Sequence, residues 1–180
     1  MERPTLFLTI GLPATGKTTY ARHIEIEHSA LRLTKDEWMK ALYGPDNPEA
    51  ASDVIEGRLI KIGMRALELG INVVIDFGLS GRDERSALRH TAAMIGSDVV
   101  MRYFELDPAV QRARIDRRWA DAPHETWPIS VQELTEWASI IQVPSLAELD
   151  GSEPIDDPPP GCGTSDDWMA NRWPFSVGPH

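Results

Sequence analysis

Residues 11–18 read Gly-Leu-Pro-Ala-Thr-Gly-Lys-Thr, a full match to G-x-x-x-x-G-K-[ST]. No other stretch constrains the fold as tightly, because each fixed position has a physical task. Backbone N–H groups of a glycine-permitted turn point inward and cradle phosphate oxygens. Lys17 brings a cation to the β- and γ-phosphates, and the Thr18 hydroxyl is a ligand for Mg²⁺. The helix that follows turns its positive N-terminal end toward the same anion. The flanks match. Thr5–Ile10 is rich in β-branched and aromatic residues and reads as a strand, and Thr19–His28 is helix-compatible. Gly11, Pro13, Ala14, Thr15, Gly16, Lys17, Thr18 and Thr19 are therefore the expected nucleotide-binding residues.

The rest of the chain alternates between the two periodicities. Ala30–Leu33 reads as a short strand. Thr34 and Glu37 have capping-box spacing and open a helix that ends before Gly44-Pro-Asp-Asn-Pro48. Glu49–Leu69 carries apolar residues at helical spacing and closes on Gly70. Asn72–Asp76 is a buried parallel strand by its unbroken apolar run. Arg82–Ile95 is a helix, Val99–Phe104 a strand and Pro108–Trp119 an arginine-rich helix. Residues 120–128 are irregular, and Ser130 with Glu133 opens a last helix. Strand–helix alternation predicts an α/β fold, a P-loop NTPase three-layer sandwich. Its parallel sheet of four to five strands is covered by helices on both faces.

These elements fill residues 1–149, the expected domain, with a lid at about 112–128. Residues 150–180 hold six of the 14 prolines and six acids against one base, Arg172. That composition predicts a mostly disordered tail, in which Trp168, Trp173 and Phe175 are candidates to dock on the domain or on a partner. The net charge of −10 disfavours generic nucleic-acid binding, which draws on Lys and Arg. The single cysteine, Cys162, has no partner for an internal disulfide, and no Cys/His spacing suits zinc. No apolar run reaches the ~18 residues of a membrane span. The apolar N-terminal run leads into the loop and reads as a core strand rather than a secretion signal. A cytoplasmic location is the expectation.

In open parallel sheets ligands bind beyond the carboxyl ends of the strands. Asp36 follows the second strand and is placed to take the proton of an attacking hydroxyl. Asp76 ends the third strand, where a carboxylate holds Mg²⁺ directly or through water. Phe77 stands next, where a water-activating Glu is common in hydrolases, so transfer to a bound hydroxyl is favoured. Among Arg112, Arg114, Arg117 and Arg118, the pair Arg114 and Arg118 shares a helix face. An arginine-bearing lid stabilises charge on a transferring phosphoryl group and excludes water.

On the segments TLFLTIGLPATGKTTYAR, LTKDEW, VVIDFGLSGRDER and the arginine helix followed by WPIS, the chain resembles P-loop kinases of the polynucleotide-kinase and zeta-toxin type, an AAA-like ATP-binding kinase family. The resemblance spans about residues 4–143. It implies ATP (or GTP) with Mg²⁺, phosphorylation of a hydroxyl, Asp36 as general base, Lys17 and Thr18 on the nucleotide and metal, and Arg118 with Arg114 as lid arginines. Polynucleotide kinases usually carry an arginine on the helix after the base. Here Trp38, Met39 and Lys40 stand there, which points away from phosphate-bearing acceptors. The leading expectation is a phosphotransferase acting on a neutral or cationic small molecule, antibiotic- or metabolite-like, with Trp38, Met39, Trp127 and Trp137 as candidate pocket residues. The alternatives are a 5′-hydroxyl polynucleotide or oligonucleotide kinase, and a non-catalytic nucleotide-binding switch or toxin-type protein.

Overall fold

The computed structural model describes residues 3–173. In chain order the elements are β1 (Thr5–Ile10), α1 (Lys17–Glu27), β2 (Leu31–Leu33), α2 (Lys35–Tyr43), α3 (Glu49–Glu68) and β3 (Val73–Ile75). They continue with α4 (Arg82–Ile95), β4 (Asp98–Tyr103), α5 (Pro108–Asp121), α6 (Val131–Ile140), α7 (Leu146–Asp150) and α8 (Ser165–Arg172). The four strands form one parallel sheet in the order β2-β3-β1-β4. Leu8 is in register with both Ile75 and Met101, and Leu33 with Ile75. The carboxyl ends of all four strands thus meet along one edge, where Gly11, Thr34, Asp76 and Phe104 follow them.

Alternate strand residues feed opposite faces, as the pleat requires. On one face Leu6, Leu8, Ile10, Leu33, Val73 and Ile75 pack with Leu59, Ile60 and Leu67 of α3 and Ala87, Leu88 and Ala92 of α4. On the other, Phe7 and Val74 pack with Ala21 and Ile24 of α1. The expected three-layer architecture is present. Among the described residues, no helix is long and apolar enough to cross a membrane.

Two expectations are corrected. Thr34 caps α2 by position, but its hydroxyl makes no cap hydrogen bond. It accepts from Arg32 and donates to Asp76 Oδ2 at 3.4 Å. Glu37 pairs with Arg32 at 3.0 Å instead of closing the box. The guanidinium of Arg32 is largely buried, and a buried cation draws in carboxylates more strongly than a neutral amide does. The Ser130–Glu133 box does form at α6.

The second correction concerns the tail. Residues 150–173 are not a disordered segment. Trp168, Met169 and Trp173 are 2%, 5% and 1% exposed and belong to the main core. Trp168 donates its indole N–H to Asp83 Oδ1 at 3.0 Å, and Arg172 pairs with Glu84. Further up, Glu148 accepts a bidentate pair from the buried Arg85 at 2.6 and 3.1 Å. Arg82 engages Glu153 at 2.5 Å and Asp156 at 2.8 Å. Low aliphatic content hid this segment, because it folds through two tryptophans and through carboxylates that answer the arginines of α4. Phe175 lies outside the described residues.

Trp168→Ala should destabilise the protein by about 3–5 kcal/mol, the range for truncating a buried aromatic. Urea unfolding checks this, and a midpoint equal to that of the parent would show that α8 is not part of the core.

Candidate active site

The turn after β1 is built on backbone that few residues tolerate. Gly11 has φ +139°, and a Cβ there would lie 2.5 Å from the Phe104 carbonyl oxygen. Its N–H donates to Gly78 O at 3.0 Å, so the loop is wedged between the chain segments leaving β3 and β4. Gly16 (φ +111°) caps α1, and Ala14 (φ 62°) is one of the few non-glycine residues in the left-handed region. The Thr15 hydroxyl donates to Leu12 O at 2.8 Å, and Lys17 Nζ donates to the same oxygen at 2.7 Å. Gln111 of α5, 3% exposed, donates to Pro13 O at 2.7 Å and ties the arginine helix to the loop.

A cleft of about 760 Å³ opens above this turn. Gly11, Pro13, Ala14, Gly16, Lys17, Thr18 and Thr19 line one side, while Asp76 and Asp36 bring carboxylates and Arg114 and Arg118 bring guanidiniums. Asp36 is exposed and, among the described residues, makes no hydrogen bond or ion pair. Arg114 and Arg118 are likewise exposed and unpaired, whereas Arg112 is held by Asp116 and Ile129 O and Arg117 faces Asp121 at 3.4 Å. Of the four arginines, the two sharing a face are the ones on the cleft. Thr15 lies in an adjoining hollow with Tyr20, His23, Arg102 and Phe104. The Arg102 guanidinium stacks there over the Tyr20 ring at 4.7 Å and the Phe104 ring at 5.2 Å.

Burial lowers the Lys17 pKa to about 8, against the opposing fields of Asp76 and Asp36; Arg118 adds to the lowering. Burial also pushes the Asp76 carboxyl above its ordinary value, opposed by the Thr18 hydroxyl, Lys17 and Arg32. Asp76 Oδ1 is buried without a hydrogen-bond partner. An orphaned carboxylate oxygen beside a threonine hydroxyl fits a divalent cation, which would supply both the missing coordination and the missing positive charge. Among the described residues no group of three or more His, Cys, Asp or Glu forms a metal cage.

The expected apolar acceptor wall is not there. Met39 is in the core at 1% exposed, Trp38 is 51% exposed, and neither these nor Trp127 and Trp137 line the cleft. Trp127 instead donates to Pro45 O at 3.1 Å and carries Lys40 Nζ 4.4 Å from its ring centroid, linking the segment after α5 to α2. Arg22, Lys35, Glu37, Lys40, His124 and Glu125 also line the cleft. Sequence reading passed over Arg22 and Gln111. Arg22 lies four residues after Thr18 on α1, hence on the same helix face, and that spacing was the available signal.

The AAA-domain family model matches residues 6–135, more than two thirds of the chain, and the protein belongs to this family of P-loop kinase domains. Solved structures share the fold at low identity. A chain of the Pnkp1/Rnl/Hen1 RNA repair complex superposes with TM-score 0.62 at 20% identity, over 87% of this chain and 48% of that one. A gluconokinase from Sinorhizobium meliloti gives 0.58 at 16%, over 83% and 81%. The Mycobacterium tuberculosis APS kinase CysC, in complex with AMPPNP and APS, gives 0.57 at 19%, over 80% and 85%. The chain spans less than half the length of the Pnkp1/Rnl/Hen1 chains it matches, 40% and 48%. No curated protein matches it.

Gly11→Ala should abolish nucleotide binding, because the new methyl collides with the Phe104 carbonyl at a φ that alanine rarely adopts. Titration with a fluorescent ATP analogue reads this directly; parent-like affinity would mean the loop tolerates the change. A second expectation concerns pH. A bound triphosphate favours the charged form of Lys17, so affinity should be highest below pH 8 and fall as pH rises past it. Calorimetry above pH 8 in buffers of different ionisation enthalpy should detect proton uptake on binding, and its absence there would remove Lys17 as the titrating group.

Proposed function

We propose that the protein transfers the γ-phosphate of ATP, with Mg²⁺, to a hydroxyl group of a small molecule. The observation that carries this reading is the placement of an unpaired Asp36 carboxylate in the same cleft as Lys17, Thr18 and Asp76. The turn amides and Lys17 hold the β- and γ-phosphates, and the hollow beside Tyr20, Arg102 and Phe104 takes the nucleoside. Thr18 and Asp76 would hold the metal ion, which when bound offsets charge on the phosphates. Asp36 orients the acceptor hydroxyl and accepts its proton as the oxygen attacks phosphorus. Arg114 and Arg118 stabilise the equatorial oxygens of the transferring group, as a lid element does. A cytoplasmic setting belongs to the same proposal.

Arg22 and Lys40 line the cleft, Arg22 3.9 Å from Glu37 and Lys40 over the Trp127 ring. These cations can meet an anionic substituent on the acceptor, but Asp36, Glu37 and Glu125 line the same cleft, so the neutral or cationic acceptor expected from the sequence is retained. The same two cations support a second reading, a kinase for 5′-hydroxyl ends of nucleic acid. The overall charge of −10 weighs against that reading.

Label transfer from γ-labelled ATP into a panel of hydroxyl metabolites, antibiotics and oligonucleotides tests both. With a positive acceptor, Asp36→Asn should reduce kcat by about 10²–10⁴-fold, the range for a lost general base, while ATP affinity stays near the parent value. Lys17→Ala should abolish transfer, and Arg118→Ala should lower kcat more than ATP affinity. Parent-rate transfer by Asp36→Asn would dismiss the base assignment. Transfer that collapses with added salt and occurs only to oligonucleotides would select the second reading.

A further inference from the structure

The segment after residue 135 lies beyond the family match, yet it reaches the candidate site. Trp173 donates its indole N–H to Glu56 Oε1 at 2.8 Å. The other oxygen of that carboxylate accepts from Lys35 Nζ, also at 2.8 Å. Lys35 opens α2, lines the cleft and immediately precedes Asp36. With both oxygens engaged, the Glu56 carboxylate has one orientation. Trp173 is itself locked, 1% exposed, with its backbone N–H bonded to Met169 O at 2.9 Å and the helix it caps pinned through Trp168 to Asp83 and Arg172 to Glu84.

The electrostatics explain why such a restraint matters. Burial works against the Lys35 charge, but the Glu56 carboxylate outweighs it and keeps the group cationic, with smaller contributions from Asp36 and Asp53. A lysine has a flexible four-carbon stem. Released from Glu56, its ammonium would find Asp36 among the nearest carboxylates. An ion pair there would make Asp36 a weaker base and obstruct the acceptor hydroxyl.

We propose that Trp173 and Glu56 are positioning residues that hold the Lys35 ammonium away from Asp36, leaving that carboxylate free for the acceptor. The C-terminal helix is thereby part of the site without touching substrate. The proposal rests on Asp36 being the general base, and it explains why Asp36 stands unpaired beside a lysine.

The test reads Lys35 first without any acceptor. Pulse labelling with acetic anhydride and peptide mass spectrometry should show Lys35 reacting several-fold faster in Glu56→Gln and in Trp173→Phe than in the parent, at matched thermal stability. If Trp173→Phe does not fold, replacing Trp173 by its benzothiophene isostere removes the N–H and keeps the ring. With an acceptor in hand, Glu56→Gln should lower kcat with little change in the KM for ATP. Adding Lys35→Met to that variant should restore kcat, because no ammonium is left to capture Asp36. A purely structural Glu56 would give no such rescue. Unchanged Lys35 labelling in both folded variants, or no rescue, would overturn the proposal. Absence of transfer by the parent protein would overturn the proposed function instead, while the labelling result would still report on the restraint.

Discussion

The Lys17 ammonium is the constraint around which the cleft is arranged. It is pressed by burial, bonded to a neutral carbonyl, and lies in the field of two carboxylates that it does not contact. A cation in that state gains when an anion arrives, since a bond to a phosphate oxygen adds an ion–ion attraction that the bond to the Leu12 carbonyl lacks. Everything near it preserves this condition. Asp76 accepts from Thr34 through Oδ2, and its field opposes but does not outweigh the effect of burial on the lysine. Arg32 supplies positive charge on the far side of Asp76, 3.9 Å away, and is in turn held by Glu25 and Glu37. Of the charged groups lining the cleft, Asp36, Arg114 and Arg118 are the ones without a hydrogen bond or ion pair among the described residues.

That arrangement depends on the sheet. Parallel register aligns the strand ends, so the residues following β1, β2 and β3 converge without any long loop. Gly11 then presses against the Phe104 carbonyl and bonds Gly78 O, which makes the phosphate turn a wedge between two other connections. Such a turn is preorganised by tertiary contacts rather than by its own sequence, and a preorganised cradle costs little to order when nucleotide binds.

Legibility from sequence followed the range of the interactions. Glycine turn, strand–helix alternation and the positions of Asp36, Asp76, Arg114 and Arg118 depend on local spacing, and local spacing is visible in a string of letters. The Thr34 capping box looked equally local, but Arg32 competes for both of its side chains, and that competition arises only when the fold brings Arg32 beside Glu25 of α1 and Glu37 of α2. The C-terminal segment was opaque for the same reason. Trp168 and Trp173 show no periodicity, and the carboxylates of residues 148–156 look like a solvated acidic run until the arginines of α4 are opposite them. A buried bidentate pair such as Arg85–Glu148 carries no sequence signature at a separation of 63 residues.

Phe77 connects the chemistry to this packing. It is 6% exposed, packs in the main core and borders the cleft, so the position after Asp76 presents an apolar ring there and not a second acid. Under the proposed function the base is Asp36 at the start of α2, a cleft carboxylate that makes no hydrogen bond or ion pair among the described residues. A base placed on the acceptor side rewards whatever molecule fills that side and orients its hydroxyl, because alignment of the attacking oxygen supplies much of the catalytic advantage in phosphoryl transfer. Water, small and free to tumble, gains little from the same base. In the proposed function, a base placed on α2 and not beside Asp76 would favour transfer over hydrolysis.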